Sequence, residues 1–340
     1  MINIISKSYL SRNVSGPKKV VDNLIKGLNI LGYPYVVNKR LDACQRLWIH
    51  DDTVALAEIN KLSLNIKVIA GPNLYVAPRH VSAEIDLSKA IYLHPSEWSK
   101  DFWLDFGFNR CQIEVWPAGI DTDEFKPSLE ERKYVLVYFK QRSKDELKTV
   151  EDALRQKNLI YKVIYYNYYS EEEYKILLSK AKYIIWLGRQ ESQGVALQEA
   201  MSFNVPILVC DVLSVGHWTA SSKLMSILNE EENAYNNTTS APYFNEMCGI
   251  KIRDLSKISE TISIMESNWE NFQPRRYILE NLNLEKQARD FLAIYEKNFG
   301  LSFESGIKEK LINASDWRNN KLYFKLYLYS KNFIKKLIKR

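Results

Sequence analysis

Glu191 and Glu199 are the residues of this sequence whose types and spacing predict chemistry most directly. Residues 183–187 before them form an apolar run typical of a buried parallel strand, and residues 195–204 have the apolar spacing of a helix. Residues 206–209 form another apolar run, so this segment is predicted to be a strand, loop, helix and strand. Open α/β sheets bind ligands where such loops leave the carboxyl ends of the strands.

The loop between the two glutamates ends at Gly194 and Val195, where the helix is predicted to begin. Backbone N–H groups in the first turn of a helix lack partners within the helix and favour phosphate. Carboxylates accept hydrogen bonds from hydroxyl groups. The segment therefore predicts a ligand that carries sugars at its ends and phosphate between them.

Two cations are predicted at the same edge of the sheet as Glu191. Lys140 and Arg142 follow the apolar run 134–139 and precede a helix predicted from about residue 144 to residue 157. Arg can bind a diphosphate with two parallel hydrogen bonds, and Lys binds it as a point charge. The alternative is that both are solvated surface cations.

The elements before this unit predict a first α/β domain with a mostly parallel sheet. Its strands are expected at residues 2–5, 35–37, 47–49, 66–70, 90–93 and 113–116. A helix is predicted to start at Gly16, but the loop before it is not the G-x-G-x-x-G fingerprint of dinucleotide-binding proteins. His50 follows the third strand, where it is either a polar contact at the crevice or a loop or core histidine.

Residues 116–127 hold two prolines and a glycine, which indicates a connection between domains. Asp121 and Asp123 in this linker form a D-x-D pattern, but turn and capping carboxylates are the favoured interpretation. The second domain is expected to continue with a strand at 161–165, a helix at 171–180, an edge strand at 249–252, and helices at 255–265 and 275–299.

The composition argues against a disordered chain, a disulfide-linked secreted protein and a membrane-spanning protein. The hydrophobic fraction of 46% over 340 residues suffices for two packed domains. Four cysteines without C-x-x-C spacing or paired histidines indicate free thiols in a reducing compartment, and they are Cys44, Cys111, Cys210 and Cys248. We expect no signal peptide, because the chain enters the predicted strand 2–5 without a basic n-region and an apolar h-region. We expect no spanning segment, because no apolar run approaches about 20 residues.

The net charge of +6 is concentrated at the carboxyl terminus. Residues 318–340 contain eight Lys or Arg residues and no acidic residue, which leaves a net charge of −2 on the remaining chain. A nearly neutral body argues against nucleic-acid binding. Aromatic and aliphatic residues alternate with these cations, so residues 317–340 are predicted to form a basic amphipathic helix on an anionic membrane surface. A helix packed on the first domain and a basic RNA-binding tail are the alternatives.

Residues 191–206 and 116–127 together resemble glycosyltransferases of the GT-B fold, and specifically family 4 of the retaining glycosyltransferases. Glu191, Glu199, Ala200-Met201 and Val205-Pro206 are similar to the family's E-G-F-G-x-x-x-x-E-A-M-A-x-G-x-P pattern, although Ser192-Gln193-Gly194 stands in place of G-F-G. The linker is similar to the family's P-N-G-V-D-x-x-x-F-x-P. The resemblance covers roughly residues 1–300.

This resemblance implies two Rossmann-like domains with parallel sheets facing a central cleft. We expect an acceptor domain at 1–127, a nucleotide-sugar donor domain at 128–285, helices at 286–316 that pack back on the first domain, and a membrane-surface tail at 317–340. The predicted tail would hold a cytoplasmic enzyme at the inner face of the membrane, where it would meet a glycan or lipid-linked glycan acceptor. The expected product is therefore a cell-envelope polysaccharide.

The resemblance also implies the roles of individual residues. Glu199 would bind the donor's ribose, Glu191 the transferred sugar, and Lys140 and Arg142 the departing diphosphate. Gly194 and Val195 would offer backbone N–H groups, Gly16 would allow close approach of the first-domain loop, and His50 would lie near the reacting sugar. Fixed cations can stabilise a leaving diphosphate without a divalent ion, so neither a metal nor a cofactor is expected.

Three other functions stay open on the sequence. A sugar-nucleotide epimerase or hydrolase with the same architecture would act without a sugar acceptor. A non-catalytic membrane-bound scaffold would retain only a vestigial site, and a dehydrogenase would need the glycine fingerprint that this sequence lacks.

Overall fold

The structure is a computed structural model that describes residues 1–13, 15–218, 227–312 and 314–317. The strands are β1 (Ile2–Ile5), β2 (Tyr35–Val37), β3 (Arg46–Ile49), β4 (Lys67–Ala70), β5 (Ala90–His94), β6 (Ile113–Val115), β7 (Tyr134–Lys140), β8 (Tyr161–Tyr165), β9 (Ala181–Gly188), β10 (Ile207–Cys210) and β11 (Gly249–Ile252). The helices are α1 (Gly16–Ile30), α2 (Thr53–Ala57), α3 (Glu97–Asp105), α4 (Lys144–Gln156), α5 (Glu171–Lys180), α6 (Val195–Ser202), α7 (Glu230–Ala234), α8 (Ile258–Asn268), α9 (Pro274–Asn281), α10 (Leu284–Phe299) and α11 (Phe303–Lys308).

The strands form two parallel sheets, one in each half of the chain. The first sheet has the order β2-β1-β3-β4-β5-β6 and the second has the order β11-β10-β9-β7-β8. Every strand pairing is parallel. The predicted fold class, two Rossmann-like domains of the GT-B type, is therefore confirmed for the described part of the chain.

Both faces of each sheet are covered, as an all-parallel sheet requires. In the first sheet, Trp48 packs on the face below α1 and α10, while Leu47 faces the α2 and α3 side. In the second sheet, Trp186 lies in the core under α6, while Leu187 lies in the core under α4 and α8. The central strands, such as β1, β9 and β10, are almost entirely buried because neither face of them meets water. The edge strands β2, β6, β8 and β11 are partly exposed.

The chain returns to the first domain through α10, which packs against α1. Gly27 allows the close approach, since a Cβ atom there would lie 2.5 Å from the carbonyl oxygen of Leu284. The single helix expected at residues 275–299 is wrong, because α9 and α10 are separate helices. The side chain of Asn283 accepts a hydrogen bond of 2.8 Å from the N–H of Lys286, which starts a new helix at Leu284.

The last described residues bind the first sheet at its β2 edge. Trp317 donates its backbone N–H to Asn38 (2.7 Å), and Arg40 donates to Ser315 (2.9 Å). Among the described residues, no helix combines the length and the apolar character needed to cross a membrane. The predicted amphipathic tail lies outside the described residues, apart from Trp317.

Candidate active site

A cavity of about 370 Å³ lies between the carboxyl ends of the two sheets, and we call it the Glu199 cavity. Residues of both domains line it, including Ser15, Gly16, Pro17, Lys19, Asn73, Pro95, Tyr138, Lys140, Tyr166, Tyr169, Glu171, Arg189, Glu191, Ser192, Gln193, Gly194, Val195 and Glu199. Six predicted site residues therefore share one cavity, since Gly16, Lys140, Glu191, Gly194, Val195 and Glu199 are all among them.

Gly194 sets the direction of the helix that faces this cavity. Its backbone has φ of 80° and ψ of 47°, a left-handed conformation that favours glycine, and α6 begins at Val195 directly after it. No side chain caps this helix start. The first-turn N–H groups consequently face the cavity with the positive end of the helix dipole, an arrangement that attracts anions.

Lys140 and Glu191 form an ion pair at one end of the cavity, between the end of β7 and the loop after β9. Lys140 is 7% exposed, and its ammonium also lies 4.2 Å from the centroid of the Tyr166 ring. Burial lowers the pKa of Lys140, and the neighbouring Glu191 carboxylate partly opposes that effect. A desolvated cation fixed at this place can neutralise a charge that develops on a bound phosphate.

Glu199 lies on α6 at the other end and pairs across the domain boundary with Lys19 of α1. Lys19 also contacts Glu171 of α5 at 2.7 Å. Burial raises the pKa of Glu199 to about 7, since desolvation outweighs the attraction of the Lys19 ammonium. Burial alone would lower the pKa of Lys19, but the Glu199 and Glu171 carboxylates raise it overall.

Arg142 does not line the Glu199 cavity, in contrast to the expectation from the sequence. Its guanidinium is 2% exposed and donates to the carbonyl oxygens of Gly188 (3.0 Å) and Cys210 (2.9 Å). It also pairs with Glu146 of α4. These bonds join the ends of β9 and β10 to α4, so the donors of Arg142 stabilise the domain and do not face the cleft.

His50 also lies outside the cavity lining, as a fully buried residue at the end of β3. Its Nε2 atom lies 3.0 Å from the carbonyl oxygen of Pro17 and 3.3 Å from Nδ2 of Asn73. Pro17 and Asn73 do line the cavity. The structure thus places His50 one layer below the wall of the cavity, where it supports the first turn of α1.

Gln193 joins the glutamate loop to the linker between the domains. Its side-chain oxygen accepts from the N–H of Ala118 (3.0 Å), and its Nε2 donates to the carbonyl oxygen of Ala118 (2.8 Å). Gln198 of α6 donates in turn to the backbone of Gln193 at 2.9 Å. The indole of Trp98 in α3 donates to the carbonyl oxygen of Glu191 at 2.9 Å, which adds another bond between the domains.

The sequence did not reveal two cations of the cavity, Lys19 and Arg189. Arg189 follows the predicted strand before Glu191, so its position at the sheet edge was an available signal. No local pattern marks Lys19, since its partners Glu171 and Glu199 belong to the other domain.

The D-x-D pattern of the linker has a structural explanation. Asp121 accepts from the backbone N–H groups of Asp123 (3.2 Å) and Glu124 (2.9 Å) and pairs with Lys26 at 2.7 Å. These are the contacts of a turn carboxylate. In the part of the chain that the structure describes, no three His, Cys, Asp or Glu residues are grouped as a metal site would require.

Part of the chain matches a known protein family in sequence. Residues 125–223, which include the loop and helix of the cavity, match the family described as Glycosyl transferases group 1. No curated protein sequence matches the chain significantly.

Several solved structures share the fold at low sequence identity. A sucrose-phosphate synthase from Thermosynechococcus elongatus is 12% identical and superposes with a TM-score of 0.59, covering 88% of this chain and 99% of its own. Anabaena Alr3699/HepE in complex with UDP and glucose is 11% identical with a TM-score of 0.53, covering 87% and 99%. The apo form of the lipopolysaccharide outer core galactosyltransferase WaaB is 12% identical with a TM-score of 0.51, also covering 87% and 99%.

The family match covers the glutamate loop, and the structural matches extend over both sheets. On these grounds the chain is a glycosyltransferase of the GT-B fold, with a glycosyl transferases group 1 domain at residues 125–223.

Proposed function

We propose that this protein is a retaining glycosyltransferase similar to family 4, which moves a sugar from a nucleoside diphosphate sugar to a glycan acceptor. The first domain would hold the acceptor and the second the donor, with boundaries near residues 127 and 285. The structure of Alr3699/HepE, which contains UDP and glucose in the same fold, supports a uridine diphosphate donor.

The observation that carries this proposal is the order of groups along the Glu199 cavity. The buried Glu199 carboxylate lies at one end and the partly buried Glu191 carboxylate lies at the other. The N-terminus of α6 and the Lys140 ammonium line the same cavity. Ribose hydroxyls can donate to Glu199, the diphosphate can accept from the first turn of α6 and from Lys140, and sugar hydroxyls can donate to Glu191. This order matches the order of groups in a sugar nucleotide.

The reaction would exchange one bond for another at the anomeric carbon. The bond from that carbon to the diphosphate oxygen breaks, and a bond to the oxygen of an acceptor hydroxyl forms on the same face. The hydroxyl proton passes to the departing diphosphate. Lys140 and the helix N-terminus would stabilise the negative charge that grows on the leaving oxygen.

Thermal shift with a panel of sugar nucleotides tests the donor assignment, because a ligand that binds the folded state raises the melting temperature. Glu199→Ala should remove most of the shift, whereas Glu172→Ala, an exposed carboxylate of α5, should leave it intact. An unchanged affinity for UDP in Glu199→Ala would contradict the assignment. Release of free sugar at the same rate with and without any acceptor would favour a hydrolase.

We further propose that catalysis is independent of divalent metal, since Lys140 and the α6 N-terminus supply fixed positive charge. Activity should then survive a chelator at full rate. Complete inhibition that Mg²⁺ or Mn²⁺ reverses would contradict this part of the proposal.

The composition of the tail supports a lipid-linked acceptor for a cell-envelope polysaccharide, reached from the cytoplasmic side of the membrane. Eight cations among aromatic residues can each contribute about 1 kcal/mol at an anionic surface. A chain ending at Trp317 keeps the contacts of residues 315–317 with the first sheet and removes only the tail. The full chain should sediment with anionic vesicles in a salt-sensitive manner, and the shortened chain should not. Equal partitioning of both would contradict the membrane proposal.

A further inference from the structure

A second cavity of about 320 Å³ adjoins the Glu199 cavity on the side of the first domain. We call it the His94 cavity. The two cavities share six lining residues, which are Pro72, Asn73, Pro95, Arg189, Glu191 and Ser192. A molecule in the His94 cavity would therefore meet the end of the Glu199 cavity where the Lys140–Glu191 pair lies.

Aromatic rings form much of the wall of the His94 cavity. Tyr75, Trp98 and Trp218 line it and are only partly buried, so each presents ring surface to the space. Phe102 and Trp103 of α3 line it from the core. The face of an aromatic ring is electronegative and attracts the electropositive C–H groups on the face of a pyranose ring.

Three buried polar atoms in this wall have no hydrogen-bond partner among the described residues, and they are Nε2 of His94, Oε1 of Gln190 and Nε of Arg189. His94 is 4% exposed and Gln190 is 7% exposed, so both side chains are buried apart from the cavity that they line. The three atoms are themselves enclosed, so a polar molecule in the cavity would reach them after small rotations of these side chains. Buried polar groups are normally paired, and an unpaired set needs an explanation. A polar molecule bound in the cavity would supply the missing hydrogen-bond partners.

The three atoms differ in their hydrogen-bonding capacity, which restricts the type of ligand. Arg189 donates, the amide oxygen of Gln190 accepts, and the imidazole of His94 can do either. Burial lowers the pKa of His94 to about 3, so the ring is neutral near pH 7 and keeps one nitrogen free to accept. Hydroxyl groups donate and accept at once, whereas a phosphate without protons could use only the donors.

We propose that the His94 cavity binds the terminal pyranose of the acceptor, with its hydroxyls on His94, Gln190 and Arg189 and its ring face against Trp98. This inference rests on the proposed function and names the chemical class of the acceptor. Trp98 suits the role because its indole is fixed by the bond to the carbonyl oxygen of Glu191. The stacked sugar would therefore be held next to the donor sugar.

The test uses the full chain, UDP and a panel of methyl pyranosides with gluco, galacto, manno and N-acetylglucosamine configurations. Saturation-transfer NMR reports which of them bind in the presence of UDP. Cyclohexylmethanol is the apolar control of similar size. We expect at least one pyranoside to bind and cyclohexylmethanol to bind more weakly, because it lacks the hydroxyls that the polar atoms require.

Three variants then locate the bound sugar. His94→Phe keeps the ring that packs on Trp103 at 4.7 Å but removes Nε2, and Gln190→Met keeps the length of the side chain but removes the amide. Trp98→Ala removes the stacking face. Each should weaken pyranoside binding by about tenfold or more, the effect of losing one good contact, with UDP affinity unchanged. Tyr168→Ala removes an aromatic ring that is 88% exposed and lines neither cavity, so it should have no effect.

The outcomes separate this inference from the proposed function. If neither UDP nor any sugar nucleotide of the thermal-shift panel binds the wild-type chain, the proposed function itself is contradicted. If UDP binds but no pyranoside does, or if pyranosides bind equally to all three variants, the His94 cavity is not the acceptor site. Stronger binding of cyclohexylmethanol than of every pyranoside would also overturn the inference and indicate an apolar ligand.

Discussion

The two ends of the Glu199 cavity hold similar ion pairs with different structural origins. Lys140 and Glu191 belong to one domain and are positioned by adjacent strands of one sheet. Lys19 and Glu199 belong to different domains, and their pairing depends on how the domains meet. The Glu191 end is therefore organised by the sheet itself, whereas the Glu199 end is completed only by contact between the domains.

The largest effect is expected from Lys140→Met. The substitution removes a desolvated cation beside the leaving group and should lower turnover about 10²–10³-fold, as the loss of one preorganised stabilising group does. Steady-state kinetics with the donor found by thermal shift would measure this. Arg142→Met is the matched control, because its guanidinium bonds to Gly188, Cys210 and Glu146.

Arg142→Met should cost about 3 kcal/mol of folding free energy, the range for breaking a buried ion pair. Urea unfolding would measure this loss, while turnover at low temperature stays close to wild type. A variant that folds normally but has lost turnover would show that Arg142 acts in the reaction after all.

A smaller effect is expected from Glu199→Ala. Hydrogen bonds to a charged group contribute about 1.5–3 kcal/mol, so affinity for UDP should fall about tenfold to a hundredfold. Isothermal titration calorimetry would measure it. Glu191→Ala should change UDP affinity little, because that residue is assigned to the sugar and not to the nucleotide. Equal losses of UDP affinity in Glu199→Ala and Glu191→Ala would contradict the assignment of Glu199 to the nucleotide and Glu191 to the sugar.

The pH dependence of nucleotide binding should report the Glu199 end alone. The pKa of Glu199 is raised to about 7, and ribose hydroxyls donate most strongly to the ionised carboxylate. Affinity for a nucleoside diphosphate sugar, whose phosphates do not titrate near pH 7, should therefore decline as the pH falls through about 7. Glu199→Gln should abolish this decline. The effect of this titration on folding stability has the opposite dependence on pH. A buried carboxyl with a raised pKa stabilises the fold least above that pKa, where it must be ionised, so this contribution to stability improves on acidification from pH 7 toward 4.5.

Lys19→Met should move the midpoint of this pH dependence upward. The ammonium of Lys19 lowers the pKa of Glu199 against the effect of burial, and removing it leaves burial unopposed. Titrations of the affinity for a nucleoside diphosphate sugar at several pH values would detect the change. Lys18→Met is a suitable control, because Lys18 pairs with Asp22 on the same helix and has no contact with Glu199 in the structure. An unchanged midpoint in Lys19→Met would mean that the domain contact does not influence this end of the cavity.

The sequence predicted most of the fold because parallel strands buried on both faces have continuous apolar runs. Residues 2–5, a fully buried strand, were predicted with the bounds that the structure has. The bounds of the partly exposed edge strand 161–165 were also predicted correctly. The break between α9 and α10 was missed, although Asn283 is a typical residue at a helix start. Apolar periodicity continues across that residue and conceals the interruption.

The candidate site was harder to predict from the sequence, because the direction of each side chain decides whether it reaches the cavity. Lys140 and Arg142 are two positions apart, and the backbone between them turns at Gln141 with a left-handed φ of 53°. One cation consequently faces the cleft and the other faces the ends of β9 and β10. His50 was placed correctly at a strand end, but sequence spacing does not show that Pro17 lies between it and the cavity. Lys19 was missed because its partners are on the other domain.

The double hydrogen bond between Gln193 and Ala118 has a consequence for motion. It fastens the glutamate loop to the interdomain linker, so a hinge rotation can preserve both bonds only if its axis passes close to Ala118. Residues of the two domains that lie far from this axis would move apart the most during the rotation. Release of a spent nucleotide would then be governed by how easily contacts such as Lys19 with Glu171 and Glu199 open and reform, while the loop itself stays with the pivot.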